Sequence, residues 1–211
     1  MDGKLQRRLE KALSEVDEHG TTGARLVDDA QRLWGRVRRL IDMKLIATEP
    51  DLEALELACY AFQLPRQTKV VASKLGRPNL KQRAEAAAEL LVTLLGEEAD
   101  EGLLDRATRL LHETPQRQPM IEEARLLADA VNLDDFGVSG MVLLMVQLAM
   151  QGGGASQLVE AYGKREEYGY WDARLKEGFH FDAVRQIAVQ RLEAARGAAQ
   201  ALLAELKEDQ P

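Results

Sequence analysis

The sequence predicts an all-α protein, and three observations lead to this fold class. The 211 residues are 45% hydrophobic and 30% charged, which is typical of a globular chain. Alanine, leucine, glutamate, arginine and glutamine dominate, and these side chains lose little freedom in a helix. Apolar residues recur at helical spacing along most of the chain, and no segment alternates as a strand would. We therefore expect one compact domain over residues 1 to 211, with about eight helices and a long C-terminal helix.

The N-terminal third carries three predicted helices. Residues 3 to 17 form a charged, weakly amphipathic helix, and apolar residues at i, i+3, i+4 and i+7 predict a second from about 23 to 45. The third lies in "DLEALELACYAFQLP", where Pro50 suits the first turn and Pro65 ends the helix. On its buried face we place Leu52, Leu55, Ala58, Cys59 and Phe62.

The rest of the chain alternates helical patterns with turn residues. Asn79 caps a helix that runs to about Leu95 and closes at Gly96. The apolar stretch "VSGMVLLMVQLAM" predicts a core helix, and the polar segment "GKREEYGYWD" separates a short helix from the last one. Further helices are predicted over residues 100 to 113, 119 to 132, 139 to 151, 155 to 163 and 181 to 207.

Charge argues against a nucleic-acid partner. The formal net charge is −7, so the average surface repels a polyanion. One basic segment, "RLWGRVRRL" at residues 32 to 40, interrupts this balance. Its arginines flank an apolar stripe, which is typical of a solvated helix face.

Neither a targeting segment nor a membrane span is predicted. The N-terminal "MDGKLQRRLEKALSEVDE" has no apolar core of a signal peptide, and the longest apolar stretch, residues 138 to 150, is too short to cross a bilayer. Cys59 is the single cysteine, so an intrachain disulfide is excluded, and its apolar position favours a core role. We expect a cytoplasmic protein that does not associate with membranes.

Common catalytic motifs are missing. The sequence has no GxxxxGK[ST], HExxH or GxSxG pattern, and His19, His112 and His180 are each isolated. In "DAVNLDD", Asp129 and its neighbours are typical of acidic residues that cap or solvate a helix break. Taken alone, these residues indicate no active site.

Four segments, taken in order, resemble the HD-domain metal-dependent phosphohydrolase superfamily, especially a bacterial branch of about this length. They are "GARLVDDAQRLWGRVRRL", "DLEALELACYAFQLP", "EEARLLADAVNLDDFGVSG" and "YWDARLKEGFHFDAVRQIAVQRLEAARGAAQALLAEL". The likeness covers residues 20 to 207, with residues 1 to 20 as an N-terminal helix and lead-in. It implies a helical HD-type domain.

The resemblance also implies a metal site. In that superfamily a histidine, an adjacent His-Asp pair and a distant aspartate hold a divalent metal, which activates water and polarises a phosphate. These positions fall on Gly23, Phe62, Gln63 and Asp129, and only Asp129 retains a ligating side chain. The resemblance therefore implies a degenerate HD protein, a pseudoenzyme with no resident metal or other cofactor. It would bind or regulate an unknown small molecule or protein.

Two alternatives stay open at this stage. A rearranged pocket with His19, His112 and Arg125 around Asp129 would give a phosphohydrolase for nucleotides or small phosphoesters, dependent on Mn, Mg, Co or Ni. The chain could instead serve as a helical partner-binding or homo-oligomerisation protein. Its long alanine-rich C-terminal helix, residues 181 to 207, would supply the contact face.

Overall fold

The computed structural model describes residues 1–15, 24–66, 79–149 and 151–208. These residues form ten α-helices and two single-turn 3-10 helices, with no strand among them. The all-α prediction and the long C-terminal helix are confirmed. The α-helices are α1 (Gly3–Ser14), α2 (Ala24–Asp42), α3 (Leu52–Ala61), α4 (Leu80–Leu95), α5 (Glu101–Glu113), α6 (Glu122–Asn132), α7 (Val138–Ala149), α8 (Ala155–Glu167), α9 (Tyr170–Glu177) and α10 (Asp182–Glu208).

The chain divides into two compact units, Met1–Ala128 and Asp129–Pro211, and the division falls within α6. The prediction of a single domain over 1 to 211, with a lead-in over 1 to 20 and an HD-like core over 20 to 207, stays a prediction. Each unit is described by itself below.

In the first unit α3 is the central helix, in contact with α1, α2, α4 and α5. From Ala54 to Pro65 every residue except Glu56 is buried, so α3 is covered on all sides rather than along one stripe. Leu52 was placed on the buried face, but it is exposed because it is the first residue of the helix. The fully buried Cys59 confirms the predicted core role, and burial raises the pKa of its thiol.

Helix ends follow the local sequence closely. Asp51 caps α3, because its side chain accepts a hydrogen bond from the Ala54 N–H at 3.0 Å, and Pro50 lies before the helix instead of in its first turn. Asn79 caps α4 as predicted, and Gln82 completes a reciprocal capping box. Gly96 closes α4 as predicted.

Helix α2 presents its apolar stripe to the core, with Leu26, Leu33 and Val37 buried. The basic segment on this helix is less uniform than its sequence predicts. Arg38 and Arg39 are exposed, as a solvated face requires, but Arg36 is buried.

The second unit is built around aromatic side chains. Phe136, Trp171 and Tyr162 are buried, and the Trp171 ring lies with its centroid 5.3 Å from each of the other two rings. The polar segment before α10 is more helical than predicted: α8 extends to Glu167, and α9 was missed. A left-handed Gly169, with φ of 63°, separates these two helices.

The apolar helix α7 is less buried than a core helix. Only Gly140, Met141 and Leu144 are buried, while Val138 and Val142 are exposed. Within the described ranges no single helix is long and apolar enough to cross a membrane, although one bent pair of consecutive helices is, by length and composition.

Candidate functional site

Phe62 ends α3 as a packed side chain. Its backbone N–H donates to the Ala58 carbonyl at 2.9 Å, and its ring is 1% exposed. The guanidinium carbon of Arg83 lies 4.3 Å from the centre of the ring, in cation–π geometry. A phenyl ring has no lone pair for a metal, so the chemistry at this position is packing and cation stacking.

Gln63 is also buried, and its amide oxygen is already hydrogen-bonded. Nη1 of Arg66 donates to Oε1 of Gln63 at 2.9 Å and to Oδ2 of Asp29 at 2.6 Å. Arg32 approaches the other oxygen of Asp29 at 2.8 Å. We call Asp29, Arg32, Gln63 and Arg66 the arginine cluster. Its hydrogen bonds fix the Gln63 amide and turn its oxygen toward a cationic donor.

Asp29 is the central carboxylate of the arginine cluster, and sequence reasoning missed it. It is only 2% exposed, yet it carries two arginine partners, which is how a buried carboxylate is ordinarily compensated. The signal was available: Asp29 lies three residues after Leu26 and four before Leu33, on the apolar stripe of α2. A carboxylate at such a position predicts a buried ion pair.

In the second unit Asp129 supports the start of α10. It is fully buried, and its two carboxylate oxygens accept hydrogen bonds from the backbone N–H groups of His180 at 2.8 Å and Phe181 at 3.1 Å. These amides come directly before the first turn of α10, where helix N–H groups lack partners of their own. Burial raises the pKa of Asp129 to about 7, while the two amide bonds and Arg185 act in the opposite direction.

A polar network ties α9 to the residues after Asp129. Arg174 donates to Asn132 at 2.8 Å and to Asp135 at 3.0 Å, and the Tyr170 hydroxyl donates to Asp135 at 3.3 Å. The Asn132 amide in turn donates to the Gly178 carbonyl. These contacts fix α9 and the turn after it, and this turn places the backbone N–H groups of His180 and Phe181 against Asp129.

Comparison with known proteins identifies the architecture. No protein-family model matches the chain, and no curated protein matches it either. Two crystal structures do. A predicted HD superfamily hydrolase from an uncultured Thermotogales bacterium aligns over 96% of this chain and 91% of its own, with a TM-score of 0.53 and 16% identity. Bacillus subtilis YpgQ in complex with ADP aligns over 99% and 94%, with a TM-score of 0.56 and 18% identity.

The fold is that of HD superfamily structures.

Among the described residues, the positions that the sequence resemblance assigns to metal ligands do not fit a divalent metal. At the two positions assigned to the His-Asp pair, Phe62 offers no donor and Gln63 offers an amide oxygen engaged by Arg66. Both oxygens of Asp129 accept backbone hydrogen bonds. Across the described part of the chain, no three His, Cys, Asp or Glu side chains come together where they could hold a metal ion.

The remaining predicted pocket residues have other surroundings or lie beyond the description. His112 is exposed in the last turn of α5. Arg125 donates to the Pro119 carbonyl at 3.3 and 3.1 Å and so fixes the segment that leads into its own helix. Gly23 and His19 lie outside the described residues. The predicted rearranged pocket of His19, His112 and Arg125 around Asp129 stays a prediction.

Proposed function

We propose that this HD-fold protein is a pseudoenzyme that binds a nucleotide-type anion at the arginine cluster without metal-dependent hydrolysis. The observation that carries the proposal is the state of Phe62 and Gln63, which the sequence resemblance assigns to the His-Asp pair. Phe62 is packed beneath Arg83, and the Gln63 amide is held by Arg66. Neither side chain presents an open ligand position.

Metal chemistry needs more than the remaining groups supply. Divalent ions that activate water are held by three or more nitrogen or oxygen side chains at fixed distances. Gln63 would contribute one neutral oxygen, at the expense of its bond with Arg66. Without the metal, nothing at these positions lowers the pKa of a bound water or polarises a phosphate. Binding is therefore the function that these side chains support.

The arginine cluster favours an anionic ligand. Arg32 and Arg66 are both partly exposed, and they share the single carboxylate of Asp29. Guanidinium groups present paired N–H donors that match phosphate oxygens, so an incoming phosphate would complete this arrangement. The similarity in fold to a protein solved with ADP makes a nucleoside diphosphate the first ligand class to test.

The test combines metal analysis with ligand binding on the purified full chain. We expect no stoichiometric transition metal, an unchanged melting temperature in a chelator, and ADP binding by calorimetry that persists in the chelator. We also expect no phosphate release from ADP or ATP with Mn²⁺, Mg²⁺, Co²⁺ or Ni²⁺. One bound metal per chain, or metal-dependent phosphate release that Asp129→Ala abolishes, would instead establish the phosphohydrolase.

Matched arginine variants locate the binding site. Arg66→Lys keeps the charge but loses the planar fork, and Arg32→Gln removes one charge from the cluster. Each should weaken ADP binding by about tenfold, which corresponds to ~1.4 kcal/mol. Arg38→Gln is the control, since Arg38 is an exposed arginine on the same helix. Equal weakening in all three variants would point to a general charge effect and against this site.

A further inference from the structure

A second candidate site lies in the first unit and shares no residue with the arginine cluster. A cavity of about 230 Å³ opens where α5 passes the beginnings of α3 and α6. This is room for several water molecules, and so for a molecule of amino-acid size. Its walls are formed by Asp51, Arg106, Arg109, Leu110, Ile121 and Glu123.

Glu123 distinguishes this cavity from an ordinary surface cleft. The residue is only 9% exposed, and it lines the cavity. Within the described residues its carboxylate has no hydrogen-bond or ion-pair partner. Its place in the first turn of α6 suits a negative charge, and its oxygens are not sealed inside the protein but are open to the cavity. A ligand that brings N–H groups into the cavity can therefore donate to this largely buried carboxylate.

The other acidic residue of the cavity is already satisfied. Asp51 accepts the Ala54 N–H with one oxygen at 3.0 Å and contacts Nε of Arg106 with the other at 3.0 Å. Glu123 is therefore the carboxylate that has capacity for a ligand.

The rim of the cavity carries the opposite charge. Arg106 and Arg109 lie three residues apart on α5, and both are exposed. Arg109 makes one weak ion pair, with the equally exposed Asp105 at 4.0 Å. An anionic group at the mouth of the cavity would thus meet one or two guanidinium groups, while its other end reaches Glu123.

We propose that this cavity binds a small zwitterion, a molecule of amino-acid type with an ammonium group near Glu123 and a carboxylate or phosphate near Arg109. A simple anion is disfavoured because Glu123 would repel it. A bare metal ion is disfavoured because a single available carboxylate gives too few ligands and the two arginines oppose a cation. Leu110 and Ile121 form an apolar wall for the carbon skeleton.

This inference does not rest on the proposed function. The residues involved are different, so metal analysis and ADP binding can fail while zwitterion binding succeeds, and the reverse.

Calorimetry on the full chain tests the proposal with defined probes. The zwitterions are L-alanine, L-serine, β-alanine and phosphoethanolamine, and the single-charge analogues are ethylamine and acetate. We expect at least one zwitterion to bind, and both analogues to bind at least about tenfold more weakly. The site is overturned if no zwitterion binds, or if ethylamine or acetate binds as tightly as the best zwitterion.

Three variants then place the ligand. Glu123→Gln keeps the shape but removes the charge, and Arg109→Gln alters an exposed side chain whose ion pair with Asp105 is weak. Each should weaken zwitterion binding at least about tenfold. Glu205→Gln is the matched control on an exposed glutamate of α10, and it should bind as the wild type does. Unchanged affinity in both Glu123→Gln and Arg109→Gln would show that the probe binds elsewhere.

Discussion

At the scale of single residues, Phe62 is part of the core at a position that the sequence resemblance assigns to a metal-binding histidine. Its ring is enclosed by the first unit and covered by the Arg83 guanidinium. Full burial of a phenyl side chain contributes roughly 1.5–3 kcal/mol relative to exposure. A histidine would bring two ring nitrogens into the same space, and these would need partners that an apolar core does not supply.

We therefore predict that Phe62→His destabilises the protein instead of restoring a metal site. The free energy of unfolding from urea titration should fall by about 2–4 kcal/mol, through lost burial and an unsatisfied ring nitrogen. Phe62→Leu is the control, because it stays apolar and should lose less. A histidine variant as stable as the leucine variant, or one that purifies with a metal, would contradict this.

The sequence predicted some of these residues and missed others for identifiable reasons. The burial of Cys59 and the capping by Asn79 follow from local pattern and local hydrogen bonding, so the sequence contains them. The bond from Arg66 to Gln63 is local, but the bond from Arg66 to Asp29 depends on how α2 meets the end of α3. That pair joins residues 37 positions apart, and no local pattern specifies Arg66 as the partner.

At the scale of elements, the beginning of α10 depends on Asp129. Two backbone N–H groups that would otherwise face the core without partners end on its carboxylate. Because burial raises the pKa of this carboxyl from 3.8 to about 7, the folded protein holds a proton that the unfolded chain releases between about pH 4 and pH 7. The contribution of Asp129 to stability is therefore largest below pH 4 and is lost as pH rises toward 7.

We predict that the titration of Asp129 lowers the free energy of unfolding as pH rises from about 4 to 7. The decrease is at most about 1.4 kcal/mol per pH unit. Asp129→Asn keeps an acceptor for one amide but cannot titrate, so its stability should vary less between pH 4.5 and pH 7. Urea unfolding of the wild type and of Asp129→Asn at several pH values gives the difference between their free energies of unfolding. In this difference the contributions of all other titrating groups cancel. Parallel curves would show that Asp129 does not titrate in this range.

The short helix α9, which follows α8, was not predicted because the composition of its segment is polar. The segment at residues 163 to 172 is polar in composition, yet Trp171 near its end is buried against Phe136 and Tyr162. Periodicity over so few residues cannot distinguish a short helix from a turn, so the evidence for α9 lies in packing. Gly169 allows the change of direction, since it adopts the left-handed conformation that other residues rarely enter.

A pair of glycine substitutions tests this account of the junction. A Cβ on Gly169 would meet no atom within 4 Å, so Gly169→Ala should cost only the strain of the left-handed backbone, about 1 kcal/mol. Gly163→Ala is the matched control: it too has open space, but it lies inside α8, where alanine should stabilise by about 0.5–1 kcal/mol. Effects of the same sign in urea unfolding would contradict a conformational role for Gly169.

At the scale of the whole molecule, the fold was more predictable than the function. Four weak segment likenesses in the right order indicated an HD-type domain, and the fold matches such structures over 96% or more of the chain at only 16 to 18% identity. Helical periodicity survives this divergence because many apolar side chains satisfy one core position. A metal-ligand position has no such tolerance, because a single substitution can remove the donor while the helix stays intact. The cavity at Glu123 was not predicted, because its walls come from three helices.

The charge of the whole chain supports a last prediction, that the protein does not bind nucleic acid. The 35 acidic residues outnumber the 28 lysines and arginines, for a net charge of −7. Several arginines of the basic segment and of the arginine cluster are already paired or buried: Arg36 is buried, and Arg32 and Arg66 contact Asp29.

Nucleic-acid affinity comes mainly from cations that displace counterions at phosphates, and it weakens steeply with salt. In gel-shift titrations at 150 mM salt we expect no complex with duplex DNA or single-stranded RNA up to roughly 100 µM protein, the weak end of non-specific binding. A shifted band at low protein concentration that disappears as salt increases would reveal a basic surface that the net charge hides.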